Sequence, residues 1–298
     1  MRGQTLAVLC LALLGDVTFA GCRRPAESEA ADPRREAVRA FWAKLHAANE
    51  TRLRPDCAAA ARLYEEALAL DPRHEDALYY LGQCRRDLGQ PVYARTTFER
   101  LVDVNPASAR GHLALGALLA SPDPAEPIDL AAAEAHLRRA HEINGEETGP
   151  VVRLGEVLLL AGRATEAREW FEAALRTNPK SVEAAFLAGF VAWDDGSGDV
   201  ARLARRVREA AKVDAPIKGV LSEGDRKDAK RVAAPPLQSP LGRLLFGAPI
   251  ATLRGRSAAG EPIDDPGLTG LWRKARRLKA ELGMRAARNA GATATRPS

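Results

Sequence analysis

The stretch LYYLGQCRRDLGQPVYARTTFERLVDVNP, residues 78–106, decides the fold because its key positions return at a regular interval. Leu81-Gly82 is followed by Leu115-Gly116, Leu154-Gly155 and Ala188-Gly189, with steps of 34, 39 and 34 residues between the glycines. Around the pair, Leu78, Ala94, Phe98 and Pro106 are matched two periods later by Val151, Ala167, Phe171 and Pro179. One period earlier, Ala60, Tyr64 and Pro72 hold the same places. A period of this length means one supersecondary unit copied and stacked, each copy burying its apolar face on the next. Glycine and alanine sit where two helices cross closely and the aromatic fills the gap between them. Proline ends the second helix, having no N–H to continue the ladder.

The pattern resembles the tetratricopeptide repeat, with its W-x2-L-G-x2-Y opening, A-x3-F middle and closing proline. The resemblance implies an all-α superhelix of about five helix-turn-helix units over residues 37–216, with the first helix of each unit lining a concave face. The abundance of alanine and arginine agrees, since both lose little side-chain entropy in helices. The first unit offers Trp42, Leu45 and Asn49 for its opening helix, with His46 in the glycine place. The third unit carries about five extra residues within 121–128 (SPDPAEPI), and Gly145 replaces its proline. The fifth has an insertion at 194–199 (DDGSGD) and puts Arg208 where the aromatic belongs, while keeping Ala204 and Ala211.

The start of the chain reads as an export signal, residues 1–21. Met1-Arg2 precedes an apolar run, Leu6 to Leu14, which is shorter than the roughly 20 residues a membrane-spanning helix needs. Phe19-Ala20-Gly21-Cys22 resembles the bacterial lipobox. That resemblance implies lipidation of Cys22, a linker over 22–36, and an exported lipoprotein. Arg23 after the cysteine implies the outer membrane, facing the periplasm. Cleavage after Ala20 is the other reading, giving a periplasmic or secreted protein. Cys57 and Cys84 remain, on neighbouring helices, either as two thiols or as a disulfide that an envelope compartment would permit.

With the packing positions assigned, the rest of each first helix is available for binding. Those groove positions hold Tyr79, Gln83 and Arg86, then Arg110 and Leu113, then Val152, Glu156 and Leu159, and last Phe186, Phe190 and Trp193. The final three share one helical face. They fit either an open groove for a protein or peptide partner, or a core covered by the chain's own C-terminal segment.

That segment departs from the repeat. Pro235, Pro236, Pro240, Pro249 and Pro262 mark 217–265 as irregular. Leu268, Leu271, Ala275, Leu278 and Leu282 then predict an amphipathic helix over 266–290, followed by a disordered tail, 291–298. Its other face carries Arg273, Lys274, Arg276, Arg277 and Lys279. Residues 217–298 hold 16 Lys/Arg and 7 Asp/Glu, a net of +9 against +5 for the whole chain, so the remainder is acidic. A basic helix of this kind caps the array, meets an anionic membrane, or takes an acidic partner. Nucleic acid does not fit, because no aromatics interleave with the basic residues.

No catalytic motif, cofactor fingerprint or metal-ligand spacing appears. His136 and His141 are five residues apart, the wrong interval for one helical face. Asp194, Asp195 and Asp199 lack the spacing and closing glutamate of a calcium loop. The sequence therefore predicts a non-enzymatic, envelope-anchored interaction scaffold without cofactor or metal. By the same resemblance such a protein serves assembly of an outer-membrane, secretion or pilus complex. Two other readings are a basic membrane- or wall-associated adaptor and an accessory subunit of an extracytoplasmic enzyme.

Overall fold

A computed structural model describes residues 32–54, 56–121, 127–196, 200–213, 247–259 and 265–294. The stretch read as an export signal, Cys22 and Arg23 lie outside them, as do Pro235, Pro236, Pro240 and Pro262. Among the described residues the regular elements are twelve helices, and the others lie in short turns. Ten form five consecutive pairs: α1 (Pro33–Leu53) with α2 (Cys57–Leu70), α3 (Glu75–Asp87) with α4 (Pro91–Val104), and α5 (Ala109–Leu119) with α6 (Leu130–Ile143). Then come α7 (Thr148–Leu160) with α8 (Ala164–Thr177), and α9 (Val182–Asp194) with α10 (Val200–Val213). Each helix packs on its predecessor and successor, giving one continuous core along the array.

Local chemistry explains where these helices begin and end. The side chains of Asp56, Ser108, Asp129 and Ser181 accept from the N–H three residues on, satisfying a donor the helix itself leaves open. Gly89 and Gly162, at φ 69° and 80°, close α3 and α7 in a conformation that side-chain-bearing residues rarely adopt. Pro72, Pro106 and Pro179 each stand two residues past the end of a second helix, as the motif requires.

The recurrent glycines have a measurable reason. A Cβ built on Gly82 would lie 2.4 Å from the Phe98 ring, and one on Gly155 2.4 Å from the Phe171 ring. At Gly116 the same atom would meet Leu137 at 2.8 Å. The aromatic or leucine of each second helix thus occupies the volume a side chain would need.

Four sequence expectations need correction. In α1 the buried face is Phe41, Leu45 and Ala48, while Trp42 is half exposed. The helix also starts at Pro33, inside the expected linker, with Asp32 as its cap. Within the stretch read as irregular, Ala248–Ala259 forms a helix, α11. Pro249 is near its start, where a missing N–H breaks no bond. The C-terminal helix, α12, runs from Asp265 to Ala294, past the expected start of the tail. The alanines Ala290, Ala292 and Ala294 favour its continuation, and Pro297 lies just beyond.

Candidate partner-binding face

The eleven groove positions divide into two environments. Tyr79, Gln83, Arg86, Arg110 and Leu113, on α3 and α5, are half-buried and keep accessible surface. The Arg110 guanidinium lies 5.0 Å from the centre of the Tyr79 ring and pairs with Asp76. This ties α5 to α3 on the face where a ligand would lie. Arg86 pairs with its neighbour Asp87 at 2.9 Å. The two first helices therefore present aromatic, amide and guanidinium groups side by side.

On α7 and α9 the same motif positions are buried, apart from Trp193, which is half-buried. Val152, Glu156 and Leu159 have almost no accessible surface. Glu156 is committed to an ion pair: Arg153 Nη1 lies 3.1 Å from Glu156 Oε1 and 2.8 Å from Glu183 Oε1. Burial pulls the Arg153 guanidinium down, and the two carboxylates more than reverse this, so it stays charged. The Arg153–Glu156 spacing of three residues is legible as a helix pair. Glu183, thirty residues on, is not, because only stacking brings α9 beside α7.

Phe186 and Phe190 are fully buried, and the cover is α12. Trp272 of α12 is 1% exposed, stacks on Trp193 with ring centres 6.0 Å apart, and tilts against Phe186 at 6.3 Å. A Cβ on Gly189 would meet the Trp272 ring at 2.7 Å. Trp272 therefore fills in the fifth unit the place that Phe98, Leu137 and Phe171 fill in the others. Arg208, which holds the aromatic's position by sequence, is half-buried, and α10 packs through Leu203, Ala204 and Val207 instead.

Two cations secure the contact. Arg276 lies over the Trp193 ring at 4.1 Å, and both it and Lys279 reach the Asp194 carboxylate, Lys279 Nζ at 2.7 Å from Oδ2. Burial alone would raise the Asp194 carboxyl; the Lys279 ammonium and Arg276 guanidinium overcome this and hold it below the usual aspartate range. Asp194, which the sequence offered only as part of a faint calcium-like turn, is thus the anionic anchor for α12. Arg273, Lys274 and Arg277 remain exposed on the outer side of the helix. Among the described residues, no group of three or more His, Cys, Asp or Glu side chains converges on a point. None of their helices is long and apolar enough to cross a membrane. Cys57 and Cys84 carry free thiols; burial and the neighbouring Cys57 push Cys84 up to about 12.

The paired helices, the glycine–aromatic contacts and the closing prolines agree with one family profile, which matches residues 56–118 and 129–188. Residues 56–118 and 129–188 are tetratricopeptide repeats. Among solved structures, the MamA protein superposes with a TM-score of 0.53 at 22% identity, over 62% of this chain and 99% of its own. MamA from residue 41 to its end, from Desulfovibrio magneticus RS-1, gives 0.51 at 16%, over 57% of this chain and 93% of its own. At such identities the likeness is one of fold.

Proposed function

We propose that the protein is an envelope-anchored scaffold whose tetratricopeptide repeats hold a partner helix or extended peptide against their first helices. The observation that carries this reading is the partly accessible row Tyr79, Gln83, Arg86, Arg110 and Leu113 across α3 and α5. Aromatic and arginine side chains at such a surface are the residue types that anchor partners, and stacked repeats suit elongated ligands. The Cys22 lipid attachment belongs to the proposal. Several acyl chains at about 0.8 kcal/mol per buried CH2 hold a protein at a membrane effectively permanently. Service in an outer-membrane, secretion or pilus assembly is an analogy from fold.

Affinity capture from the native envelope tests the scaffold. The Tyr79→Ala/Arg110→Ala double variant is expected to lose the partner that the wild-type chain retains, with its helical circular dichroism unchanged. Retention of the same partner by the double variant refutes the reading. Mass spectrometry of the mature N-terminus tests the anchor. A diacylglyceryl Cys22 is expected, and an unmodified terminus at Gly21 rules it out.

The exposed Arg273, Lys274 and Arg277 favour a second reading, an adaptor that lays α12 against an anionic surface. Replacing all three by alanine is expected to abolish binding to anionic vesicles if this operates. Equal binding by the variant excludes it.

A further inference from the structure

We infer that α12 is an exchangeable occupant of the repeat array, and that the face of α9 and α7 it covers takes a partner helix of defined pattern. That helix carries an aromatic residue, cations four and seven positions later, and bulky apolar residues eleven and fourteen positions later. The inference rests on the scaffold reading above and names the class of partner. The first part of the pattern is α12's own: Trp272, Arg276 and Lys279 engage Phe186, Phe190, Trp193 and Asp194. The second part is what α12 lacks. At the later positions it has Gly283 and Ala286, and there a cavity of 420 Å³ separates it from Ile128, Leu160 and Ala161.

Two further features mark α12 as an imperfect fit. The Trp272 indole N–H is buried and meets no acceptor among the described residues, a loss a better ligand avoids. The hold on Asp194 is an ion pair near the surface, weakened by salt and open to competition from any similar cation pair. What favours α12 is tethering. Five residues separate it from α11, which packs on α10 and α9, so it is held at its site at an effective concentration on the order of millimolar. An external helix displaces it only by fitting better, and the cavity under Gly283 and Ala286 is where a better fit is available.

Fluorescence anisotropy with a labelled synthetic peptide of residues 265–290, titrated with the full chain, tests this. The Arg276→Ala/Lys279→Ala chain, whose own helix is loosened, is expected to bind the peptide about tenfold more tightly than the wild-type chain. A peptide carrying Ala286→Leu is expected to gain about tenfold again, since leucine fills the cavity and matches alanine in helix propensity. Adding Asp194→Lys to the loosened chain is expected to abolish binding of both peptides, and Asp194→Asn to weaken it should the lysine variant lose its circular dichroism. Equal binding by loosened and wild-type chains, no gain from Ala286→Leu, or binding that survives loss of the Asp194 charge each overturns the inference. None of these outcomes touches the scaffold reading, which the Tyr79→Ala/Arg110→Ala capture decides on α3 and α5.

Discussion

A single methyl group separates glycine from alanine. In Gly155→Ala the new carbon would stand 2.4 Å from the fully buried Phe171 ring, so ring and helix must move apart. Overpacking of this kind costs about 1–3 kcal/mol, and the better helix propensity of alanine returns only about 1 kcal/mol. Chemical denaturation of Gly155→Ala is therefore expected to show a net loss of up to about 2 kcal/mol. Gly189→Ala meets Trp272 instead, a residue of α12 and not of the repeats. It is expected to shift tryptophan emission to the red and leave most of the helical signal in place. A blue or unchanged emission would mean that Trp272 does not sit on Gly189. At this scale the sequence was legible where the motif repeats, as in the pairing of Gly82 with Phe98. It showed the aromatic missing at Arg208 but not what replaces it, because the residue that fills that slot lies some sixty positions further along the chain.

At the scale of helices, two polar contacts hold neighbouring elements and each predicts a measurable response. His112 and His136 join α5 to α6 with their Nδ1 atoms 2.9 Å apart, and His112 Nε2 lies 3.1 Å from the Pro106 carbonyl oxygen. If His112 donates to that carbonyl, its Nδ1 accepts from His136. Burial, and then the neighbouring His112, lower the His136 pKa, while Glu99 opposes them. A histidine with a depressed folded value contributes stability that is complete above the unfolded value near 6.5, and that is lost as pH falls through the folded value. Thermal unfolding is thus expected to fall on acidification from pH 7.5 to 5, and to fall less in His136→Gln. Identical pH slopes in the two proteins would refute the linkage. The second contact is the Arg153 bridge from α7 to α9. Arg153→Ala leaves the carboxylates of Glu156 and Glu183 without it, at a cost of about 3–5 kcal/mol in denaturation experiments. A loss below 1 kcal/mol would show the bridge to be dispensable.

Across the whole molecule, stability is the sum of units and their interfaces, so it is distributed unevenly along the array. Every residue from Pro150 to Leu160 of α7 is buried, and α9 is buried from Ala184 to Ala192. The opening helix α1 instead leaves Val38 and Trp42 about half exposed. Hydrogen exchange is expected to be slowest in α7 and α9 and fastest in α1 among the repeat helices; α1 protection equal to that of α7 would contradict this. The period of 34 to 39 residues, the helix caps and the glycine–aromatic pairs were all determined by the chain's own pattern, because they arise within a unit or between adjacent ones. Periodicity reports local contacts faithfully. Whether the aromatic face of α9 stands open or closed was decided only by the tertiary structure. Trp272, Arg276 and Lys279 reach Phe186, Trp193 and Asp194 across some eighty residues. That contact is made once, outside the repeat, so no recurrence in the sequence announces it.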